Sequence, residues 1–378
     1  MTVKVRQIDS KADRKKFVKM PWRVYRNDLR WVPPLLADKL ETIDPRKNPF
    51  FGHGQAALFL AEGEDGLPLG RISAQINTLH NEYHKDKTGF FGFFECVDDE
   101  KVSGALLETA EGWLAEKGCD KVLGPESFST NEEVGMLAED REGPPMIMCS
   151  YNPPYYTRLV EAAGYQKAKD LYGWFYEIGK VPEAPMQVAE AVKKHPGLTV
   201  RPTDPKNMEH DINIVRDIFN AAWSKNWGYV PWTDAEVKHS AKMMKMIMIP
   251  ELTAIAEVDG KPAGMMLAFP NINEAIKDLN GRLFPTGLAK LVWRLMLGRY
   301  KFKGARLFLL GIKPEFRGNV LGGLSVLLYV RAHRAALKLG MKTGETGWTL
   351  EDNKKINAGI QFMGGRLGKI YRVYGKDL

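Results

Sequence analysis

The residues best suited to chemistry lie between Ala305 and Gly340. There an apolar run, Ala-Arg-Leu-Phe-Leu-Leu-Gly-Ile, is followed by Lys-Pro-Glu-Phe-Arg-Gly-Asn-Val-Leu-Gly-Gly and then by an amphipathic stretch. A strand that stops at Lys313-Pro314, followed by a turn bearing Gly318, Gly322 and Gly323, would aim several backbone N–H groups at one point. The positive end of the next helix adds to them, so the point suits a phosphate or pyrophosphate. Leu321, Leu324, Leu328, Ala332, Ala335 and Leu339 recur three or four residues apart, which predicts a helix ending at Gly340. A glycine-rich turn without a ligand stays open as the alternative, since strand-to-helix junctions commonly need glycine.

The elements around this loop occur twice. In the first half, 55–61 and 68–75 read as a hairpin about Glu64-Asp65-Gly66; in the second, 252–258 and 262–268 do so about Asp259-Gly260. A further strand follows each hairpin (89–96; 305–312), then a helix (101–117; 322–339), then a short strand (119–123; 341–346). The half-ends correspond as well, Ala163 to Gly173 matching Gly364 to Gly375, each ending on a strand. The reading is α/β (α+β): two tandem domains, each a mixed, mostly antiparallel sheet flanked by helices. Their boundaries are expected at 1–180 and 198–378, with a proline-punctuated linker at 181–197. At the place of the glycine loop the first half has Glu95-Cys96-Val97-Asp98-Asp99-Glu100, whose four carboxylates would repel a phosphate. Only the second half is expected to bind one.

Composition narrows the class. With 378 residues, 44% hydrophobic and 26% charged, and no apolar run of the ~18 residues a membrane span needs, a cytoplasmic globular chain is expected. Cys96, Cys119 and Cys149 fit neither a disulfide framework nor a zinc site, and the neighbours of Cys96 disfavour a thiolate. His80 and His84 lie one helical turn apart without an evident third ligand, so no metal is expected. The net charge of +8 is concentrated at 281–306, where seven basic residues and no acidic ones alternate with Leu, Phe, Trp and Met. A membrane-surface helix, a lid over an acyl chain and a core helix with snorkelling basic residues all fit that stretch; nucleic-acid binding does not. The segment Ser127-Phe-Ser-Thr-Asn-Glu-Glu is unusually rich in hydrogen-bonding groups for a loop and suits either a helix cap or a substrate contact.

Arg-Gly-Asn-Val-Leu-Gly-Gly after a strand, then a strand ending Leu-Glu-Asp-Asn, resembles the GNAT superfamily of acyl-CoA N-acyltransferases over roughly 198–374. The resemblance implies acetyl-CoA or a longer acyl-CoA as co-substrate. Arg317, Gly318, Asn319, Val320, Leu321, Gly322 and Gly323 would then hold the pyrophosphate. Gly311 and Ile312 would lie beside the thioester, where a strand bulge frees an N–H, and Asn353 would approach the coenzyme. Val320 stands where the family usually has glycine, and Ile360 where many members carry a proton-donating tyrosine. The last strand and strand five face the cleft in that fold, which nominates Tyr371, Tyr374 and Glu345 for proton handling. Trp227 and Tyr229, in an aromatic stretch between the first two helices, would shape a site for an apolar or extended acceptor.

The whole chain further resembles a bacterial family of tandem GNAT-like proteins related to the bacterial ceramide synthases. That likeness rests on Lys87-Thr-Gly-Phe-Phe-Gly-Phe-Phe-Glu, Tyr151-Asn-Pro-Pro-Tyr-Tyr, Asn226-Trp-Gly-Tyr-Val-Pro and Leu350-Glu-Asp-Asn. It implies a small-molecule or lipid amine as acceptor and agrees with the methionine-rich 243–248, whose side chains adapt to alkyl chains. Contact with the inner face of a membrane would follow from 281–306. The competing expectation is a GNAT-fold module without activity that binds a membrane or protein through 281–306.

Overall fold

The computed structural model describes residues 2–298 and 300–378, apart from the side chains of Met243, Asn319 and Val320. The roles expected of the Asn319 and Val320 side chains therefore fall outside the described residues. The first half runs β1 (Lys4–Gln7), α1 (Lys11–Lys19), α2 (Pro21–Val24), α3 (Leu36–Thr42), β2 (Gly54–Glu62), β3 (Pro68–Asn77), α4 (Thr78–His84), β4 (Thr88–Cys96), α5 (Glu100–Glu116), β5 (Lys121–Gly124), β6 (Met136–Asp140), α6 (Tyr155–Ala162) and β7 (Gln166–Glu177). The second runs α7 (Glu183–Lys193), β8 (Leu198–Arg201), α8 (Met208–Trp223), α9 (Asp234–Ile247), β9 (Thr253–Val258), β10 (Lys261–Pro270), α10 (Asn273–Ile276), α11 (Gly287–Leu295), β11 (Gly304–Ile312), α12 (Leu324–Lys338), β12 (Thr343–Leu350), α13 (Lys354–Phe362) and β13 (Arg366–Asp377).

Local signals set these limits. Asp259 and Gly260 both adopt positive φ (49° and 73°), the turn that matches strand twist in a two-residue hairpin. The Asp99 side chain accepts from Lys101 N–H to start α5, and Gly118 (φ 81°) follows its end. Gly340 (φ 78°) does the same for α12. In the first half, Leu106, Leu107, Ala110 and Leu114 of α5 bury against β2–β4; in the second, Leu324, Leu328 and Ala336 of α12 pack on Ala254, Ala256 and Met266. The stretch 181–197 is largely α7, which lies along α12 with Ala189 and Val330 buried between them.

The strands form one continuous thirteen-stranded sheet in the order β1-β2-β3-β4-β5-β13-β7-β12-β11-β10-β9-β8, with β6 joined to β13 at the side. The order reads alike from both ends, because β1–β5 repeat as β8–β12. The parallel contacts β4 to β5 and β11 to β12 occupy equivalent places. The final strands are exchanged: β7 pairs with β12 (Thr343 opposite Glu177 through Leu350 opposite Leu171), while β13 pairs with β5 (Tyr374 opposite Gly124) and with β7. Each half thus lends its last strand to the other, and the two expected sheets merge into one.

Candidate functional site

The site lies where the sheet parts. β11 and β12 pair only from Gly304 opposite Thr343 to Leu307 opposite Thr346. At the same level the β10–β11 register slips, so that Leu267 faces Leu309 and Ala268 faces Leu307. Phe308 is the surplus residue and has a ladder partner in neither neighbouring strand. Such a bulge leaves a backbone N–H free, and it falls three residues before Gly311, where the sequence placed it. The cleft opening there is walled by 307–310, by 346–350, and by Asn353 and Ile356 at the start of α13. Across from these stand Phe219 and Trp223 of α8, with Trp227, Tyr229 and Trp232 of the α8–α9 connection.

Buried Arg306 holds the parted strands. Its Nε and Nη2 donate to Gly347 O at 3.1 and 3.0 Å, and Nη1 donates to Ile147 O. Asn353 lines the cleft, and its Oδ1 accepts from Ile356 N–H (3.4 Å) to cap α13. The Tyr229 hydroxyl donates to Asn220 Oδ1 at 2.9 Å; burial, with Tyr83 beside it, pushes its pKa up to about 12. That phenol stays protonated and tied at neutral pH.

Beyond β11 the glycine segment forms two 3₁₀ turns, Pro314–Phe316 and Asn319–Gly323, and then α12, which starts without a side-chain cap. The Leu324 N–H is taken by Leu321 O of the second turn, and with no side-chain cap the positive end of α12 stays open to an anion. Gly318 borders open space and a Cβ on Gly322 would meet only Arg317 O at 3.9 Å, whereas a Cβ on Gly323 would come within 2.8 Å of Val188 and Val192 of α7. Gly323 is therefore required by packing. The exposed Arg317 side chain spans the loop: Nε donates to Ile312 O (2.8 Å) and Nη2 to Ala222 O (3.0 Å), tying β11 to the end of α8. Leu321 packs partly on the α12 core, and Gly311 lies under Trp223, whose Cζ3 a Cβ would meet at 2.3 Å.

Tyr371, Tyr374 and Glu345 lie elsewhere, none of them among the residues lining the cleft. The strand exchange is the reason: β13 sits between β5 and β7, with two strands separating it from β11. Tyr374 is fully buried in the first-half core and donates to Glu161 Oε1 at 2.9 Å. Tyr371 is 2% exposed, and its hydroxyl lies 3.5 Å from Glu345 Oε1. Glu345 is paired with Lys369, whose Nζ is 2.5 Å from Oε2 and also donates to Pro144 O at 2.6 Å. Burial pushes the Tyr371 and Tyr374 hydroxyls well above the ordinary tyrosine range. Ile360 is buried and faces a second apolar cavity behind the sheet, between Tyr329, His333 and Met363.

Sequence reasoning missed Arg306 and the position of the bulge at Phe308, and it left the first half's segment 127–133 between a helix cap and a substrate contact. Thr130, Asn131 and Glu132 reach across from the loop between β5 and β6 and complete the cleft wall. The dense polar run 127–133 was the signal available for them. The His80 and His84 rings lie 4.3 Å apart between centroids, tilted by 33°, and among the described residues no group of three or more His, Cys, Asp or Glu side chains is placed to hold a metal.

No protein-family model matches the chain. It is 37% identical over 375 residues to a protein of Caulobacter vibrioides called bacterial ceramide synthase, covering 98% of this chain and 96% of that one. It is 35% identical over 377 residues to Protein YghO of Escherichia coli, covering 99% and 95%. Among solved structures, a tandem GNAT protein from the clavulanic acid biosynthesis pathway superposes over 100% of this chain and 98% of its own with a TM-score of 0.59, at 10% identity. A GCN5-related N-acetyltransferase from Sphaerobacter thermophilus superposes over 99% and 95% with a TM-score of 0.53, at 14% identity.

Proposed function

Because the chain belongs to the tandem GNAT family that includes this bacterial ceramide synthase, we propose that it moves an acyl group from coenzyme A to the nitrogen of a long-chain or lipid amine. The observation carrying the proposal is the union, within one strand-turn-helix, of the bulge at Phe308 and the uncapped start of α12. The glycine turns and helix start suit the pyrophosphate, with Arg317 bracing the loop. The free N–H at the bulge suits the oxyanion formed as the thioester is attacked. The aromatic wall of Trp223, Trp227, Tyr229 and Trp232 suits an apolar acceptor. The degenerate first half, in this reading, is scaffold and wall.

A second observation favours membrane contact. Helix α11 and its flanks expose Phe284 (76%), Trp293 (53%), Met296 (78%) and Leu297 (62%) beside Arg282, Lys290 and Lys301. Leu291 and Leu295, on the other side of the helix, pack on Ile276 and Leu279. This partition matches an interfacial helix rather than a core one. No helix among the described residues is long and apolar enough to cross a membrane. The test is release of coenzyme A thiol from acyl-CoA with amines of increasing chain length. Amine-dependent release supports the transferase; vesicle binding without any release would support the inactive membrane module instead.

A further inference from the structure

We propose that Glu132, carried by the half without a phosphate loop, is the residue that takes the proton from the attacking amine. The inference rests on the acyltransferase reading and adds a catalytic group to it.

Three titratable side chains line the cleft: Glu132, Tyr229 and Arg306. Arg306 is spent on Gly347 O and Ile147 O, and a guanidinium has donors but no acceptor to take a proton. Tyr229 is tied to Asn220 and titrates near 12. Glu132 alone among them has no hydrogen bond or ion pair to its carboxylate among the described residues. It is also fixed from below. Its N–H donates to Ser129 O (2.9 Å), Asn131 Nδ2 donates to Val230 O (3.3 Å), and the adjacent Glu133 is held by Lys39 Nζ (2.6 Å). The bridge between Glu126 and Val134 closes the base of this loop. Glu132 and Arg306 also border the smaller cavity with Met244, Ile247 and Phe269, so Glu132 lies at the junction of the two cavities.

The electrostatics agree. Desolvation by the surrounding protein is the largest influence raising the Glu132 pKa, opposed by Lys39 of α3 and reinforced by Glu133 of its own loop, Glu236 of α9 and Asp38 of α3. Glu132 is an exposed residue, so solvent screening keeps that upward shift small. Arg306 is the cation facing the cleft from β11. A raised pKa moves a carboxylate toward the range in which a general base serves best at neutral pH.

The step balances. The amine lone pair forms the C–N bond to the thioester carbonyl carbon, while the oxygen takes negative charge beside the Phe308 bulge. An N–H proton passes to the Glu132 carboxylate. The C–S bond then breaks, and the departing sulfur takes that proton, leaving amide, coenzyme A thiol and Glu132 as it began. With Ile360 buried behind the sheet, this route supplies the thiol's proton without a tyrosine there.

The experiment compares the full chain with Glu132→Gln and Glu132→Asp, using palmitoyl-CoA and a long-chain amine. It measures thiol release from pH 5.5 to 9, thioester binding by calorimetry, and the melting temperature. The expected result is a kcat/KM for Glu132→Gln lower by roughly 10²–10⁴-fold, loss of the acid limb of the parent's pH profile, partial recovery in Glu132→Asp, and unchanged thioester affinity. An active parent with Glu132→Gln within threefold of it and the same acid limb overturns this inference alone. A parent that binds thioester yet acylates no amine overturns the transferase reading and this role with it.

Discussion

Replacing Lys369 by Met tests whether the buried pair at the join of the two halves is structural. Lys369 and Glu345 side chains are 3% and 4% exposed, and Nζ meets both Glu345 Oε2 and Pro144 O. Without it, the carboxylate keeps, among the described residues, only the Cys149 thiol at 3.3 Å and the Tyr371 hydroxyl at 3.5 Å, two weak donors for a buried charge. Removing one partner of a buried pair costs about 3–5 kcal/mol, whereas removing both in favour of apolar groups is often close to neutral. Lys369→Met should therefore lower stability by about 3–5 kcal/mol in urea unfolding, and Glu345→Leu/Lys369→Met should regain most of it. The double variant should also retain acyl transfer within about threefold, because neither residue lines the cleft. A single variant within 1 kcal/mol of the parent, or a folded double variant without activity, would refute the reasoning.

Other perturbations have defined outcomes. Gly311→Leu drives a side chain into Trp223, which stacks on Phe219 at 5.0 Å, and overpacking of this kind costs about 1–3 kcal/mol; acceptor KM should rise while a control at the open Gly318, Gly318→Ala, leaves stability within 0.5 kcal/mol. His80 is held neutral by burial, its pKa lowered from 6.5 to about 4 despite Asn81 and Asp86 nearby. A histidine whose folded value lies below its unfolded one contributes stability that is full above pH 6.5 and is lost as pH falls toward 4, here by about 3 kcal/mol; unfolding curves from pH 7.5 to 4 should show that decline, flattened in His80→Leu. Trp293→Glu should weaken binding to phosphatidylglycerol vesicles by about tenfold or more, through lost burial and added repulsion, and leave turnover of a short, soluble amine unchanged; sedimentation with vesicles checks it.

The repeat, the hairpins and the glycine loop were legible because they are local: alternation, turn glycines and helical spacing sit within twenty residues of one another. Strand exchange was not, because nothing in Gly364 to Gly375 records that β13 pairs with β5 rather than staying in its own half. That one long-range choice moved Tyr374 into the first-half core and Tyr371 to the join, although both were correctly placed on the last strand. A bulge near Gly311 was implied by the family resemblance, but its place at Phe308 was not legible, since a one-residue slip against β10 is a relation between two strands. Glu132 lay in a run already marked as polar, but its chemistry depends on β11 and α9, more than 100 residues away in sequence. Residues 281–306 are the reverse case: their composition left three readings open, and the exposure of Phe284, Trp293, Met296 and Leu297 favours one of them.

Calorimetric titration with coenzyme A thioesters of increasing chain length, with Arg317→Glu as control, tests the account most directly. Binding should tighten with acyl length and disappear in the control, whose new carboxylate would repel the pyrophosphate and release the loop from Ile312 and Ala222. Absence of binding to every thioester by the folded parent would contradict it.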